Sequence, residues 1–397
     1  MKNIAIIGAG PAGIFATILL KNLKGRIHIF EQNSNIGEKL KLTGGGRMNI
    51  TNKDLNEQDF SSSSKNLLKK IFKNPHIKNR ENIFKKLEIE YFYEGNRAIL
   101  KSENATAEVQ RLKDAINNQE NTELHLNTKI EEIIPEKNGI NLKFSGKTTT
   151  FDSVIITTGG MYKIGDLGPE EQIYELSNQV KHSITPLSPS LCPLIFSDKK
   201  LRKLSGISFE GILTDNMNNK SVRGDILITH FGLSGPAVLD FSANKESDNI
   251  SLCFTNKITK QEFIKEFNTM RNGKNSIKKF LKNYLPQRLI DFHLSQSEIA
   301  ENFMADTSKM KLKKLTDSIF NYSIGNIKEN SYPASWTTKG GVPLAEINTA
   351  TFESKLQPNI FFAGEILDVN GLCGGYNISF AAISAQIVAD ELLKKTL

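Results

Sequence analysis

Apolar residues in this chain come in short runs that stop at glycine, and the first run shows the pattern. KNIAII (residues 2–7) has the length of one strand, GAGPAG (8–13) interrupts it, and IFATILL (14–20) resumes with helical spacing. A short continuous apolar run bounded by turn residues marks a buried strand. The pattern predicts strand, tight turn, helix. A second strand, RIHIF (26–30), follows and closes on Glu31. FDSVII (151–156) and NIFFAG (359–364) are further apolar strands that run into glycine, and ISFAAISAQIVADELLKK (378–395) reads as a helix.

Between these ends the texture changes twice. Residues near 191–256 alternate apolar and polar between turn signals, as in SGISFEGILTDNMNNKSVRGDILITHFGLSGPAVLDFS (205–242), which predicts short antiparallel or barrel-like strands. Residues near 257–331 carry helical spacing, as in ITKQEFIKEFNTM (258–270) and SIKKFLKNYLPQRLIDF (276–292). The serine run Ser61–Ser64 is too short to be more than a loop.

Gly8, Gly10 and Gly13 fit G-x-G-x-x-G in the context that motif requires, between a strand and a helix. The first glycine makes the turn, the second admits a pyrophosphate against bare backbone, and the third lets helix and strand pack closely. Glu31 lies 18 residues beyond Gly13, where an acid accepts a hydrogen bond from a ribose hydroxyl. Pro11 and Ala12 in the turn, with Gln32 and Lys39 after the second strand, join the cofactor-binding set. The expected fold is α/β, with a Rossmann-like domain built from both chain ends, residues 1–190 and 332–397. A β-barrel-like unit (191–256) and a small helical unit (257–331) are inserted into it.

Length and composition leave that picture standing. At 397 residues the chain has room for two or three domains, and 39% hydrophobic with 24% charged residues is ordinary for a globular protein. No apolar run approaches the ~18 residues of a membrane helix. Gly8, Gly10, Pro11 and Gly13 break the apolar start where a signal peptide keeps it whole. Cys192, Cys253 and Cys373 suggest neither a disulfide framework nor a metal cluster, so a reducing cytoplasm is expected. The six histidines are scattered without metal-ligand spacing, so no metal is expected, and no Ser/His/Asp set is legible.

The glycine motif alone does not separate NAD from FAD. The other glycine clusters are TTGG (Thr157–Gly160), TTKGG (Thr337–Gly341) and FFAGEILDVNGLCGGYN (Phe361–Asn377), and none is a second nucleotide fingerprint. The first returns the chain to the nucleotide's edge at Thr158, Gly159 and Gly160. The last sets an acid and a glycine pair before a helix, which again aims amides at an anionic ligand. A further stretch, GEKLKLTGGGRMNITN (37–52), places three glycines before an arginine.

Together the opening motif, that glycine triplet, THFGLSGP (229–236) and GEILDVNGLCGGYN (364–377) resemble the bacterial BaiN/RdsA-like flavoproteins, also called the YhiN family. The resemblance extends over nearly the whole chain. Met48 departs from it, standing where the family usually has cysteine, so any redox role of that cysteine is not shared here. The resemblance implies FAD, with Gly44, Gly45 and Gly46 running past it and Arg47 and Asn49 at its phosphate or ribityl side. It places Glu365, with Gly364 and Asp368 nearby, at the ribityl chain, and Gly374, Gly375, Tyr376 and Asn377 at the pyrimidine end of the ring.

The activities it implies are reduction of a conjugated C=C bond, in bile-acid intermediates or in uridine of 23S ribosomal RNA, and amine oxidation in a distant branch. With no second nucleotide unit, NADH or NADPH is expected as a transient electron donor. The flavin carries the hard step, and His230 and Lys339 are the candidate catalytic residues. A non-enzymatic flavin-binding protein is the remaining reading.

Charge bears on the substrate. Residues 65–86 hold eight basic residues against Glu81, and residues 257–314 hold thirteen against six acids, a net of +7 each. The whole chain is +8, so everything else sums to −6. Basic segments of this kind suit an anionic polymer such as ribosomal RNA. The alternative is a solvated lysine face in a chain rich in Lys, Asn, Ile and Phe, with a small-molecule substrate.

Overall fold

A computed structural model describes residues 2–161, 172–245, 247–271, 273–300, 302–324, 327–328 and 335–395. The chain divides into two compact units, Met1–Pro189 with Trp336–Leu397, and Ser190–Ser335. The expected boundary between residues 331 and 332 lies outside the described residues.

The first unit is organised by a five-stranded parallel sheet in the order Ile360–Phe362, Ser153–Ile156, Lys2–Ile7, Gly25–Phe30, Thr122–His125. Lys2–Ile7 is central, and its residues Ile4, Ala5, Ile6 and Ile7 are buried, as a strand covered on both faces must be. The chain leaves this strand on one side to Gly25–Phe30 and returns on the other at Ser153–Ile156. That reversal of strand order opens a crevice at the carboxyl ends, where ligands of such sheets bind. Helix Pro11–Leu19 buries Ala12 through Ile18, and helix Tyr376–Lys394 is buried along most of its length. The first is apolar on nearly every side, which suits a helix enclosed by protein, and the second buries Ser379, Ser384 and Gln386 with hydrogen-bond partners.

The second unit holds a seven-stranded antiparallel sheet in the order Tyr322–Ser323, Ile250–Cys253, Ser208–Asp215, Lys220–Ile228, Gly232–Ser234, Leu194–Phe196, Ile327–Lys328. Strands from the alternating stretch and helices from the later stretch share one core here. Phe254 stacks on Phe209 at 5.1 Å and meets His293 of helix Gln287–Gln296 edge-on at 4.5 Å. Two strands contributed from beyond residue 320 complete the sheet. No helix among the described residues is long and apolar enough to cross a membrane.

His293 makes this core sensitive to acid. Its Nδ1 is 3.1 Å from Ser318 Oγ, whose own proton goes to the Leu315 carbonyl at 2.9 Å. Nδ1 therefore carries the hydrogen, and the buried Nε2 has no partner among the described residues. Burial pushes the imidazole down to about 3. The unfolded chain gains a proton below ~6.5 that the folded chain refuses, so stability present at neutral pH is lost as pH falls. Between pH 7 and 5 this group is expected to cost the parent about 2 kcal/mol. Urea titrations of the parent and His293→Gln at both pH values check this. Equal losses in the two proteins contradict it.

Candidate functional site

The nucleotide turn shows three glycines with three different constraints. Gly8 adopts φ +101°, and a Cβ there would lie 2.7 Å from the Thr157 carbonyl oxygen. Gly13 packs the helix on the turn so tightly that a Cβ would lie 1.9 Å from the Gly8 carbonyl oxygen. Gly10 has neither constraint. Its φ of −76° and ψ of −173° suit any residue, and a Cβ would meet nothing within 4 Å among the described residues. Thr157 locks the turn to the neighbouring strand, its Oγ1 reaching the carbonyls of Ile7 (2.9 Å) and Gly8 (2.8 Å). The next residue, Thr158, has a buried Oγ1 with no hydrogen-bond partner among the described residues. Helix Pro11–Leu19 begins there without a side-chain cap.

Glu31 ends the adjacent strand, buried, with Oε2 accepting from the Ala9 amide (2.9 Å) and Oε1 from Asn33 Nδ2 (2.8 Å) and N (2.9 Å). Burial pushes its pKa up, while the amides of Asn33, Ala9 and Gln32 pull it back. Gln32 itself is exposed. At the third strand end, Glu365 accepts from Lys39 Nζ through Oε2 (2.5 Å) and from the Thr338 amide through Oε1 (2.9 Å). Burial lowers the Lys39 pKa and Glu365 opposes that shift. Gly160 fits beneath, where a Cβ would lie 2.8 Å from Glu365 Oε1. Gly364 separates Ala12 from Ala381 and donates its amide to Ser384 Oγ (3.0 Å). Gly159 has φ +81° beside open space.

The glycine triplet has a backbone reason. Gly44, Gly45 and Gly46 take φ values of +61°, +66° and +88° in succession. An L-residue pays roughly 1–2 kcal/mol for each left-handed position. Space beyond the Gly45 and Gly46 Cβ positions is open. Asn49 stands beside Gly44, its Oδ1 within 3.3 Å of that residue's Cβ position. Arg47 reaches Glu94 and Glu103, its Nη2 2.9 Å from each. Met48 is wholly buried, so its sulfur sits in the core.

At the start of helix Tyr376–Lys394, Gly375 has φ +94° and its Cβ position lies 2.7 Å from the Thr51 backbone. Gly374 accepts from Asn52 Nδ2 at 3.3 Å. Asn377 spends its amide on Gly371, accepting from its N–H at 2.8 Å and donating to its carbonyl at 2.9 Å. Tyr376 meets Phe60 edge-on at 5.8 Å. Asp368 takes the amide of Ser63 (2.8 Å) and its hydroxyl (2.5 Å), which gives the serine run an anchoring task.

The two catalytic candidates belong to different units. Lys339 is exposed on strand Thr337–Lys339, one residue past the Thr338 amide that Glu365 holds. His230 is exposed between two strands of the second unit, and its carbonyl accepts from Arg202 Nε.

Three constellations escape sequence reasoning. Glu346 Oε2 lies 2.9 Å from His182 Nδ1, and His182 Nε2 lies 2.7 Å from Ser354 Oγ, the order of a hydrolase triad. Ser354 Oγ also accepts the amides of Leu356 and Gln357, and the His182 side chain is fully buried. No substrate reaches that serine, so the trio fastens two loops. Arg80, counted among the basic residues of segment 65–86, is buried and donates to the carbonyls of Asn52 (2.8 Å), Lys53 (2.6 Å) and Ile77 (3.2 Å). His28, Glu123 and His125 place one ligand atom each within 4.8 Å of one another. The alternation E-L-H in TELHL was the visible signal for the last group, but His28 joins it only through strand register.

These residues fit a dinucleotide cofactor on the chain's own evidence. Gly10 is a glycine for which neither backbone nor packing gives a reason, and a side chain there would fill the open face of an uncapped helix start. Thr158, whose buried hydroxyl has no partner among the described residues, borders the same turn, its Cα 3.1 Å from the Gly8 Cβ position.

Comparison with known proteins accords with this geometry. A family profile described as HI0933-like protein Rossmann domain matches residues 2–391. The chain is 28% identical over 399 residues to the ribosomal RNA dihydrouridine synthase of Haemophilus influenzae, covering 98% of this chain and 97% of that protein. It is 26% identical over 399 residues to the 3-dehydro-bile acid delta(4,6)-reductase of Clostridium scindens, covering 96% of each. The 3-ketosteroid-delta4-(5alpha)-dehydrogenase structure from Rhodococcus jostii RHA1 superposes with a TM-score of 0.50 at 10% identity, covering 99% of this chain and 96% of that one. At that identity the likeness speaks for the fold.

Proposed function

Because the chain belongs to the family of HI0933-like proteins with a Rossmann domain, we propose that it reduces an activated C=C bond in uridine of 23S ribosomal RNA, drawing electrons from NADH or NADPH. It is an FAD-dependent oxidoreductase. The observation that carries the cofactor reading is Gly10, open in front and unconstrained behind. The ribosomal RNA substrate rests on the Haemophilus influenzae relative's name and on the two basic segments.

FAD supplies hydride transfer when bound. The chain's own residues bind and orient it. The amides of the glycine turn and of the first turn of helix Pro11–Leu19 hold the pyrophosphate. Glu31, fixed by Ala9 and Asn33, takes a ribose hydroxyl. Gly44–Gly46 and the Gly374–Asn377 helix start line the remaining length. The Lys39–Glu365 pair holds the third strand end in place. Reduction of the uracil double bond needs a proton at the second carbon. Either Lys339 or His230, each exposed on its own unit, is the group proposed to deliver it.

The RNA reading has a direct test. Lys279 and Lys282 are exposed, and Lys278 is exposed while paired with Asp291 at 3.0 Å. Changing all three to alanine is expected to reduce the salt slope of RNA binding by about 2–3 units and to leave flavin content unchanged. Mass mapping of ribosomal RNA with and without the gene is expected to show dihydrouridine only in its presence. A triple variant that binds RNA like the parent, with no change in the map, transfers the proposal to a small enone. The Clostridium scindens relative supports that second reading.

A further inference from the structure

We propose that His28, Glu123 and His125 form a binding site for a divalent late transition metal of the zinc class. Glu123 and His125 stand two apart on strand Thr122–His125, hence on one face. The parallel register sets His28 opposite Glu123 and Phe30 opposite His125, which brings all three candidate ligands to that face. His28 Nδ1 lies 3.1 Å from His125 Nε2 and 3.4 Å from Glu123 Oε2, and His125 Nε2 lies 3.7 Å from Glu123 Oε1. Ligands at ~2.0–2.1 Å from a tetrahedral ion stand about 3.3 Å from one another. The 3.1 and 3.4 Å separations lie close to that value. The 3.7 Å one is to the other Glu123 oxygen, and one ligand atom from each residue falls within 4.8 Å of the others. Two imidazoles and one carboxylate are a donor set that zinc and its neighbours accept, with a position left for water.

The surroundings hold the ligands ready. The His125 ring stacks on Phe30 at 4.6 Å, and the His28 ring meets Phe151 edge-on at 5.4 Å. Both imidazoles are about four-fifths buried, while the Glu123 side chain is 63% exposed and gives an ion its way in. Strand Thr122–His125 is the edge of the parallel sheet, bonded to a neighbour on one side only among the described residues. An ion bridging His28 to Glu123 and His125 pins that edge. The role is structural, and it does not depend on which substrate the flavin serves.

Cobalt(II) is the probe, added to untagged FAD-loaded protein. One equivalent is expected to give the visible absorption of a tetrahedral site, bleached by added zinc. Zinc at a hundredfold excess over Kd is expected to raise the melting temperature by about 5 °C. His125→Asn abolishes the cobalt band, and Glu123→Gln, an exposed change harmless to folding, weakens cobalt binding at least ~10-fold. Flavin content identical to the parent's shows that each variant is folded. A parent with no cobalt band, or either variant binding cobalt with the parent's band and affinity, overturns the site.

Discussion

Replacing Gly10 by leucine is expected to leave a folded protein that has lost at least ~100-fold in FAD affinity, or about 2.7 kcal/mol. The backbone at Gly10 is extended and its Cβ position faces open space, so the fold has no quarrel with a side chain there. The pyrophosphate does. Gly13 provides the contrast, because a Cβ there would lie 1.9 Å from the Gly8 carbonyl oxygen. Gly13→Ala is expected to cost about 3 kcal/mol of stability, since the helix must lift off the turn. Thermal melts by circular dichroism and flavin absorbance after desalting separate the two effects. Stoichiometric FAD on Gly10→Leu removes the role given to that glycine.

Glu365→Ala is the second large effect. It leaves Lys39, whose side chain is only 15% exposed, without its carboxylate. Breaking a buried pair by removing one partner costs up to about 3–5 kcal/mol, and because Lys39 keeps a further interaction a loss near the lower end, about 3 kcal/mol, is expected. Burial already lowers the Lys39 pKa, and loss of Glu365 lowers it further. The variant's penalty is therefore expected to shrink as pH rises above 7, when the folded chain sheds the proton more easily than the unfolded one. Urea titrations at neutral and alkaline pH measure this. Lys39→Met in the same chain is expected to recover most of the loss. A single variant as stable as the parent at pH 7 contradicts the pairing.

What the sequence made legible is local. Gly8, Gly10 and Gly13 are set by a turn of six residues, and Glu31 by the strand that follows, so motif and spacing suffice to find them. The buried strands are legible because enclosure on both faces leaves only apolar residues in them. The Lys39–Glu365 pair joins residues 326 apart, and no local pattern announces it. His28 meets Glu123 through register between two strands, which periodicity within either strand does not fix. The two arginines show the same limit. The family resemblance sets Arg47 at the phosphate or ribityl side of FAD, and no local pattern announces that it reaches Glu94 and Glu103. Arg80 reads as surface charge, yet it is spent on three carbonyls. Side-chain reach, up to several ångströms in arginine, is decided by tertiary neighbours.

The glycine triplet makes a related point. Its composition suggested a wall against a ligand, and its dihedrals supply a reason internal to the chain, three left-handed residues in a row. Gly10 lacks any such internal reason, which is why it is the better reporter of the cofactor.

The most direct measurement is a titration of apoprotein with FAD, followed by flavin fluorescence, in the parent and in Gly10→Leu. Uptake of one FAD per chain by the parent, with binding by the variant weakened at least ~100-fold, is the expected result. A folded parent that takes up no FAD at any concentration tried contradicts the flavoprotein reading outright.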